Sequence, residues 1–363
     1  MENTAFIKTG LYECVDSAES NCSPRFRKRF TLDGKIKSAQ VCLAGLGIGY
    51  FYINGKKISE DLFTAPVSEY TKTVWYNRYD VTELLNNGEN VIAAFIGNGF
   101  YNETIKSGWS HNEARWRDAP KMILKLTVTF EDGTTKEIKT DDSWVCTEST
   151  PYIFNALRIG VSYDARLYEE GWTELSFDDS NWTPAKIDDK RPTGVLRECL
   201  CEPIREFDTF KPERIVKVDD KYVIHFPQNV SGYVRINTKY LKAGQKITLR
   251  YAESLNEDGS VCMNGCDGPN YYPESRYAFT DFTADGKDFI WTPKFVYFGF
   301  RYFEVAGLCE APSMDMFESV FVHQAISRKA DFKCSDERLN RLYQMGINAT
   351  FSNMVYAPPD CPT

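Results

Sequence analysis

The sequence predicts a mainly β protein, with two antiparallel, jelly-roll-like β-sandwiches in tandem followed by one long helix at the C-terminal end. Three observations carry this. Runs such as Met122-Ile-Leu-Lys-Leu-Thr-Val-Thr-Phe130 and Lys246-Ile-Thr-Leu-Arg-Tyr251 alternate apolar and polar residues with a period of two, which is how a strand with one buried face reads. Gly- and Asn-rich turn signals separate these runs, as in Asn54-Gly55 and Glu131-Asp-Gly133. Many short strands with such turns point to a sandwich. Helical spacing of apolar residues enters only past residue 333.

Taken in order, residues 1–30 form a lead-in and residues 31–190 the first sandwich. The β-forming run 41–53 meets Asn54-Gly55, a strong hairpin signal because a type I′ turn needs positive φ at both central residues. Glu83-Leu-Leu85 reads as a short helical turn stopped by Gly88, and Val91 to Ile96 as a buried strand. The run 122–130 turns at 131–133 and pairs back through 135–140. Over 186–214 charges and Pro192, Pro203 and Pro212 interrupt any periodicity, which predicts a linker at 191–214. Alternation resumes at 222–226, 232–238, 246–251 and 297–305, giving a second sandwich over 215–328. A helix over 335–356 follows. Ser335 can cap it, Asp336 and Glu337 suit the positive end of its dipole, and Pro358-Pro359 lies beyond its end.

Composition narrows the function. A formal net charge of −8 disfavours nucleic acid and anionic membrane surfaces, since both select a basic face. No apolar run is long enough to span a bilayer as a helix. Aromatics make up 14% of the chain; most fill strands and cores, and some could serve as platforms for sugar rings. The 11 cysteines are scattered. Cys199 and Cys201 have one residue between them, and His111, His225 and His323 are far apart, so no zinc-site spacing appears. Free thiols and the lack of a signal-peptide pattern at the start give a cytoplasmic expectation.

A series of short motifs is similar to the bacterial α-L-rhamnosidases of glycoside hydrolase family 78. Ile53-Asn-Gly-Lys56, Tyr79-Asp-Val-Thr82, Gly88-Glu-Asn-Val91, Gly97-Asn-Gly-Phe-Tyr101, Tyr163-Asp-Ala-Arg166 and Phe177-Asp-Asp-Ser-Asn-Trp182 resemble the family's N-terminal β-domain. Phe226-Pro-Gln-Asn229, Leu249-Arg-Tyr-Ala-Glu253 and Phe298-Gly-Phe-Arg-Tyr302 resemble its next, concanavalin-like domain. Phe332-Lys-Cys-Ser-Asp336 and Pro358-Pro-Asp-Cys-Pro362 resemble the entry to its catalytic domain. Each motif is short; their order along the whole chain is the specific feature. Thr363 stands where the family often has Gln.

The resemblance implies an (α/α)6 catalytic barrel that removes terminal α-L-rhamnose with inversion. Residues 329–363 would be its truncated start and the predicted helix its first helix. Inversion needs two carboxyls about 6.5–9.5 Å apart with a water between. In the family the acid is a glutamate just after Asp-Cys-Pro, and the base lies much further on. The expectation is therefore no catalytic residue within the chain and no hydrolysis by the chain alone. The alternative is a stand-alone carbohydrate-binding or accessory β-protein. The expected partners are rhamnose-containing oligosaccharides or glycosides.

Several residues are candidates for contact. By resemblance, Asp360 accepts hydrogen bonds from rhamnose hydroxyls. Trp109 and Trp116 could stack on a sugar, with packing of the sandwich mouth as the plainer alternative. Asn98 and Asp118 offer oxygens of the kind calcium takes, without a tight calcium signature; no other cofactor is implied. Asp164 and Arg166 suit a loop-fixing ion pair. Glu253, Glu257 and Asp258 form an acidic cluster, but Asn256-Glu-Asp-Gly259 has the composition of a solvated turn.

Overall fold

The computed structural model describes residues 1, 3–10, 23–105, 110–188, 190, 192–263 and 277–356. The chain divides into two compact units, one of Met1–Ala156 with Leu167–Leu200, the other of Leu157–Arg166 with Cys201–Thr363. Among the described residues strands dominate, and Glu337–Ser352 is the one α-helix.

The first unit pairs two sheets. One runs in the order Lys186–Asp188, Phe6–Lys8, Lys121–Phe130, Ile36–Leu46, Thr73–Asp80, Val195–Glu198, with Thr135–Lys139 also on Lys121–Phe130. The other runs Thr183–Pro184, Val145–Thr147, Arg25–Leu32, Gly88–Gly97, Ile48–Ile53, Lys56–Lys57. Alternation decides which side chains meet between them: Leu124, Leu126, Val128 and Phe130 are buried while Lys125, Thr127 and Thr129 are only partly covered. They join Val41, Leu43, Phe51, Ile92, Ala94, Ile96 and Trp144 in one core.

Turn chemistry behaves as its residues dictate. Asn54 and Gly55 hold φ of 50° and 82° between Ile53 and Lys56, which pair. The turn after Asp80 is a 3₁₀ helix over Thr82–Leu84, and the next strand already starts at Gly88, where φ is 107°.

The stretch expected as a linker is not one. Val195–Glu198 pairs in parallel with Thr73–Asp80, and Ile204–Phe210 pairs antiparallel with Phe317–Gln324. Both are short, charged edge strands, and edges tolerate the polar, Pro-broken composition that hid them.

The second unit is built on one large curled sheet, with a two-stranded ribbon of Ser254–Leu255 and Val261–Cys262 beside it. The order of the large sheet includes Gly160–Asp164, Phe279–Thr283, Lys246–Ala252, Phe298–Ala306, Lys221–Asn237, Phe317–Gln324, Ile204–Phe210, with the first pair parallel. Gly160–Asp164, read from sequence as part of the first sandwich, thus belongs to the second unit. The stretches 222–226 and 232–238 are parts of one strand, Lys221–Asn237, whose register breaks between His225 and Val230. Pro227 sits in that break, where its missing N–H costs no ladder bond. Aromatics fill this core: Tyr251 stacks on Phe298 at 4.5 Å and meets Phe300 at 5.0 Å, and Phe303 meets Phe317 at 5.0 Å.

The helix begins two residues later than expected. Asp336, not Ser335, caps it by accepting from the Arg338 N–H at 2.9 Å. It ends at Ser352. Phe351 on its last turn lies 4.5 Å from His323, nearly parallel, and Phe207 covers the other neighbourhood of that ring at 3.8 Å. Leu339, Leu342 and Met345 stay exposed, between 49% and 64%.

Candidate functional site

The segment that follows strand Gly88–Gly97 gathers most of the described candidates. Its path requires glycine: a Cβ on Gly47 would fall 1.8 Å from the Gly97 carbonyl oxygen, and Gly47 holds φ of 94°. Asn98 is buried and acts as a clip. Its N–H donates to Asn155 Oδ1 at 2.8 Å, its Nδ2 donates to the Asn155 carbonyl at 2.9 Å, and its Oδ1 accepts from Asn102 Nδ2 at 2.7 Å.

Past this clip, Tyr101 is fully buried and meets Tyr70 edge-on at 5.1 Å. Trp116 meets the same Tyr70 at 5.9 Å, and its Nε1–H reaches the Phe100 carbonyl at 3.4 Å. Trp116 is therefore a half-buried packing residue, with Leu46 and Val74 in the same cluster. Lys121, 0% exposed, lies over the Tyr101 ring at 5.7 Å and donates to Asp118 at 2.8 Å and to Asp188. Burial works against the Asp188 carboxylate, but the Lys121 hydrogen bond and charge outweigh it and hold its pKa at about 2.

Calcium does not fit here. The Asn98 side-chain oxygen already accepts from Asn102, and Asp118 accepts from the Ala119 N–H at 2.8 Å and from Lys121. The Lys121 ammonium supplies the positive charge beside Asp118 that a metal would bring. Among the described residues no group of three or more His, Cys, Asp or Glu side chains is placed to hold a metal.

Sequence reasoning passed over Glu103, which is 3% exposed and 3.4 Å from His111 Nδ1, with His111 edge-on to Phe100 at 5.6 Å. Only the three-dimensional burial marks it; no spacing rule would have. Trp109 and Asp360 lie outside the described residues.

Of the remaining candidates, Asp164, Arg166, Glu253 and Asp258 have structural partners, and Glu257 is exposed to solvent. Arg166 forks onto Asp164 through Nε at 2.9 Å and Nη2 at 2.6 Å, and its own N–H donates to the same carboxylate, which Arg166 holds below the usual aspartate range. Glu253 accepts from Asn229 at 2.6 Å. Asp258 accepts from the N–H and hydroxyl of Ser260, so 256–260 is the solvated turn its composition predicts. Among the described cysteines, Cys42, Cys146, Cys199, Cys201, Cys262, Cys309 and Cys334 are free thiols.

The comparison with known proteins converges on the resemblance that the motifs carry. The α-L-rhamnosidase N-terminal domain profile matches residues 34–208, and the bacterial α-L-rhamnosidase concanavalin-like domain profile matches residues 216–323. The chain belongs to the bacterial α-L-rhamnosidase family. A curated α-L-rhamnosidase of Formosa agariphila is 31% identical over 98% of this chain and 37% of its own length. The solved α-L-rhamnosidase of Dictyoglumus thermophilum is 31% identical with a TM-score of 0.86, over 99% of this chain and 40% of that one. The α-L-rhamnosidase of Streptomyces avermitilis, solved as a complex with L-rhamnose, is 26% identical with a TM-score of 0.86, over 94% of this chain and 32% of that one. The chain therefore spans well under half the length of these relatives. No helix among the described residues is long and apolar enough to cross a membrane.

Proposed function

We propose that the chain is the β-domain portion of an inverting α-L-rhamnosidase, and that the proton donor and the base both lie outside it. The observation that carries this is the coverage: nearly the whole chain aligns, yet it aligns with only 37% of the Formosa agariphila α-L-rhamnosidase. The acidic residues singled out in the sequence also support it: Asp118, Asp164, Glu253 and Asp258 are engaged by Lys121, Arg166, Asn229 and Ser260, and Glu257 is exposed on a solvated turn. A general acid for glycoside cleavage needs a carboxyl kept protonated near neutral pH, and Asp164 is shifted the opposite way. The solvent-exposed Leu339, Leu342 and Met345 on the terminal helix suit a face that further helices would cover.

In this reading the substrate class is glycosides or oligosaccharides ending in α-L-rhamnose, and Asp360 contributes acceptors to the sugar hydroxyls. The test uses 4-nitrophenyl α-L-rhamnopyranoside. The 363-residue chain is expected to release no nitrophenol, while a polypeptide extended past Thr363 through a complete helical domain releases it. Turnover by the purified chain itself would place an acid and a base within its 363 residues and end the proposal.

A further inference from the structure

Within the second unit, the strands Lys221–Asn237 and Phe317–Gln324 pair so that Arg235 stands directly opposite Glu318. Arg235 Nη1 meets Glu318 at 3.0 Å, its Nη2 binds Glu206, and Lys211 reaches Glu318 at 3.3 Å. Tyr233 donates its hydroxyl to Glu206 at 2.6 Å, which fixes the carboxylate from the other side. Lys211, Arg235 and Glu318 border a cleft of about 320 Å³ that Asn237, Ile290 and Asp315 help to line. Ile290 pairs with Asn237 and keeps 57% of its surface exposed.

The chemistry of the lining selects among ligands. Lys211 and Arg235 are each tied to carboxylates, so an incoming anion would compete with Glu318 and also face Asp315. An incoming cation would face the two basic side chains. A neutral ligand with several hydroxyls meets neither conflict. It can donate to Asp315 and Glu318 and accept from Lys211 and the Asn237 amide, and hydrogen bonds to ionised groups are the stronger kind. The exposed Ile290 side chain offers aliphatic surface to a ring's C–H face, and the volume lies within the range of small-molecule sites.

From this arrangement we infer that the cleft bordered by Lys211, Arg235, Asn237, Ile290, Asp315 and Glu318 binds a neutral carbohydrate ring. The inference draws on the proposed rhamnosidase role only for the choice of probe. The experiment is saturation-transfer NMR and calorimetric titration of the 363-residue chain with methyl α-L-rhamnopyranoside, cellobiose and sodium glucuronate. At least one neutral probe is expected to bind in the millimolar range. Asp315→Ala and Ile290→Asp, both at exposed positions, should each weaken it about fivefold or more. Asn237→Asp, which keeps the acceptor that caps Lys239 and removes the donor, should do the same. Thermal unfolding of each variant checks that the fold is intact. No binding of either neutral probe, binding that all three variants leave unchanged, or binding of glucuronate alone would each overturn the assignment. None of those outcomes touches rhamnoside cleavage by the extended polypeptide, so the two readings fail separately.

Discussion

The two units solve the same packing problem with opposite chemistry. The first places cations in its interior: Arg25, Arg27 and Lys121 are between 0% and 1% exposed. The second fills its interior with Phe226, Tyr251, Phe300, Phe303 and Phe317, and its ion pairs Arg235–Glu318 and Lys221–Glu304 stay partly open to solvent. The difference follows from what each must hold. In the first unit, residues 167–184 carry little regular structure, so their carbonyls find few ladder partners. Arg27 donates to the Trp172 and Glu174 carbonyls and pairs with Asp179 at 2.8 Å. Arg25 lies 5.2 Å from both Trp172 and Trp182 and binds Glu169 and the Ser149 carbonyl. A guanidinium fork suits this role, because it satisfies several acceptors and stacks on rings at once.

If charge holds the first unit, removing Lys121 should produce the largest effect. Lys121→Met takes the fully buried cation from Asp118 and Asp188 and leaves Asp188 only Lys8, at 3.2 Å, and breaking one side of a buried pair costs about 3–5 kcal/mol. The midpoint of urea unfolding reads this directly, and adding Asp188→Leu should recover part of the loss. The same pair gives the acid limb its sign. Against the opposing pull of burial, the Lys121 ammonium holds the Asp188 carboxyl at about 2 in the fold, below the ordinary aspartate value of about 3.9. Its contribution is full above about pH 4 and drains as the pH falls toward about 2.

Arg27→Lys should rank next. It keeps the charge and gives up the fork onto Trp172, Glu174 and Asp179, for a loss of about 1–3 kcal/mol. In the second unit Phe303→Leu should cost under about 1.5 kcal/mol, since the neighbouring rings can repack around a similar volume. A Phe303 loss larger than that of Arg27→Lys would reverse the contrast between the units.

Below these lies a pH effect on the terminal helix. Burial lowers the His323 pKa, against the opposing pull of the Gln324 carbonyl and Asp208, so the folded state favours the neutral ring. Stability from this site is therefore full above the unfolded value of about 6.5 and is lost as pH falls below it. Thermal melts between pH 8 and pH 5.5, followed through the helix signal, should show the decline on the scale expected for a histidine site. His323→Phe should flatten it while keeping the stack with Phe207 and Phe351.

Period-two alternation exposed the strands with one buried face, and Asn54-Gly55 exposed its hairpin, because both signals are local. Val195–Glu198 and Ile204–Phe210 stayed hidden because edge strands need no apolar alternation. The parallel pairing of Gly160–Asp164 with Phe279–Thr283 joins residues more than a hundred positions apart, and no local pattern encodes it. At the site, Trp116, Asn98 and Asp118 were legible as residue types but not as roles. A tryptophan on a platform and a tryptophan packed on Tyr70 read alike, and the partner that decides Asp118 is a buried lysine.

The smallest effect is expected at Asp164, and it completes the contrast. Its carboxylate closes a local ring with Arg166, whose side chain is 56% exposed. Water already solvates that guanidinium, so although Asp164 itself is buried, half of the pair replaces hydration and its net worth is small. Asp164→Asn keeps an acceptor for the Arg166 N–H and removes the charge and the second acceptor that Arg166 Nη2 uses. Its unfolding midpoint should stay at the wild-type value, and raised salt should leave wild type and variant equally placed. A drop approaching that of Lys121→Met would mean that a pair with an exposed cation can anchor a segment as firmly as one with a buried cation, and burial of the cation would no longer explain why the first unit depends on its own.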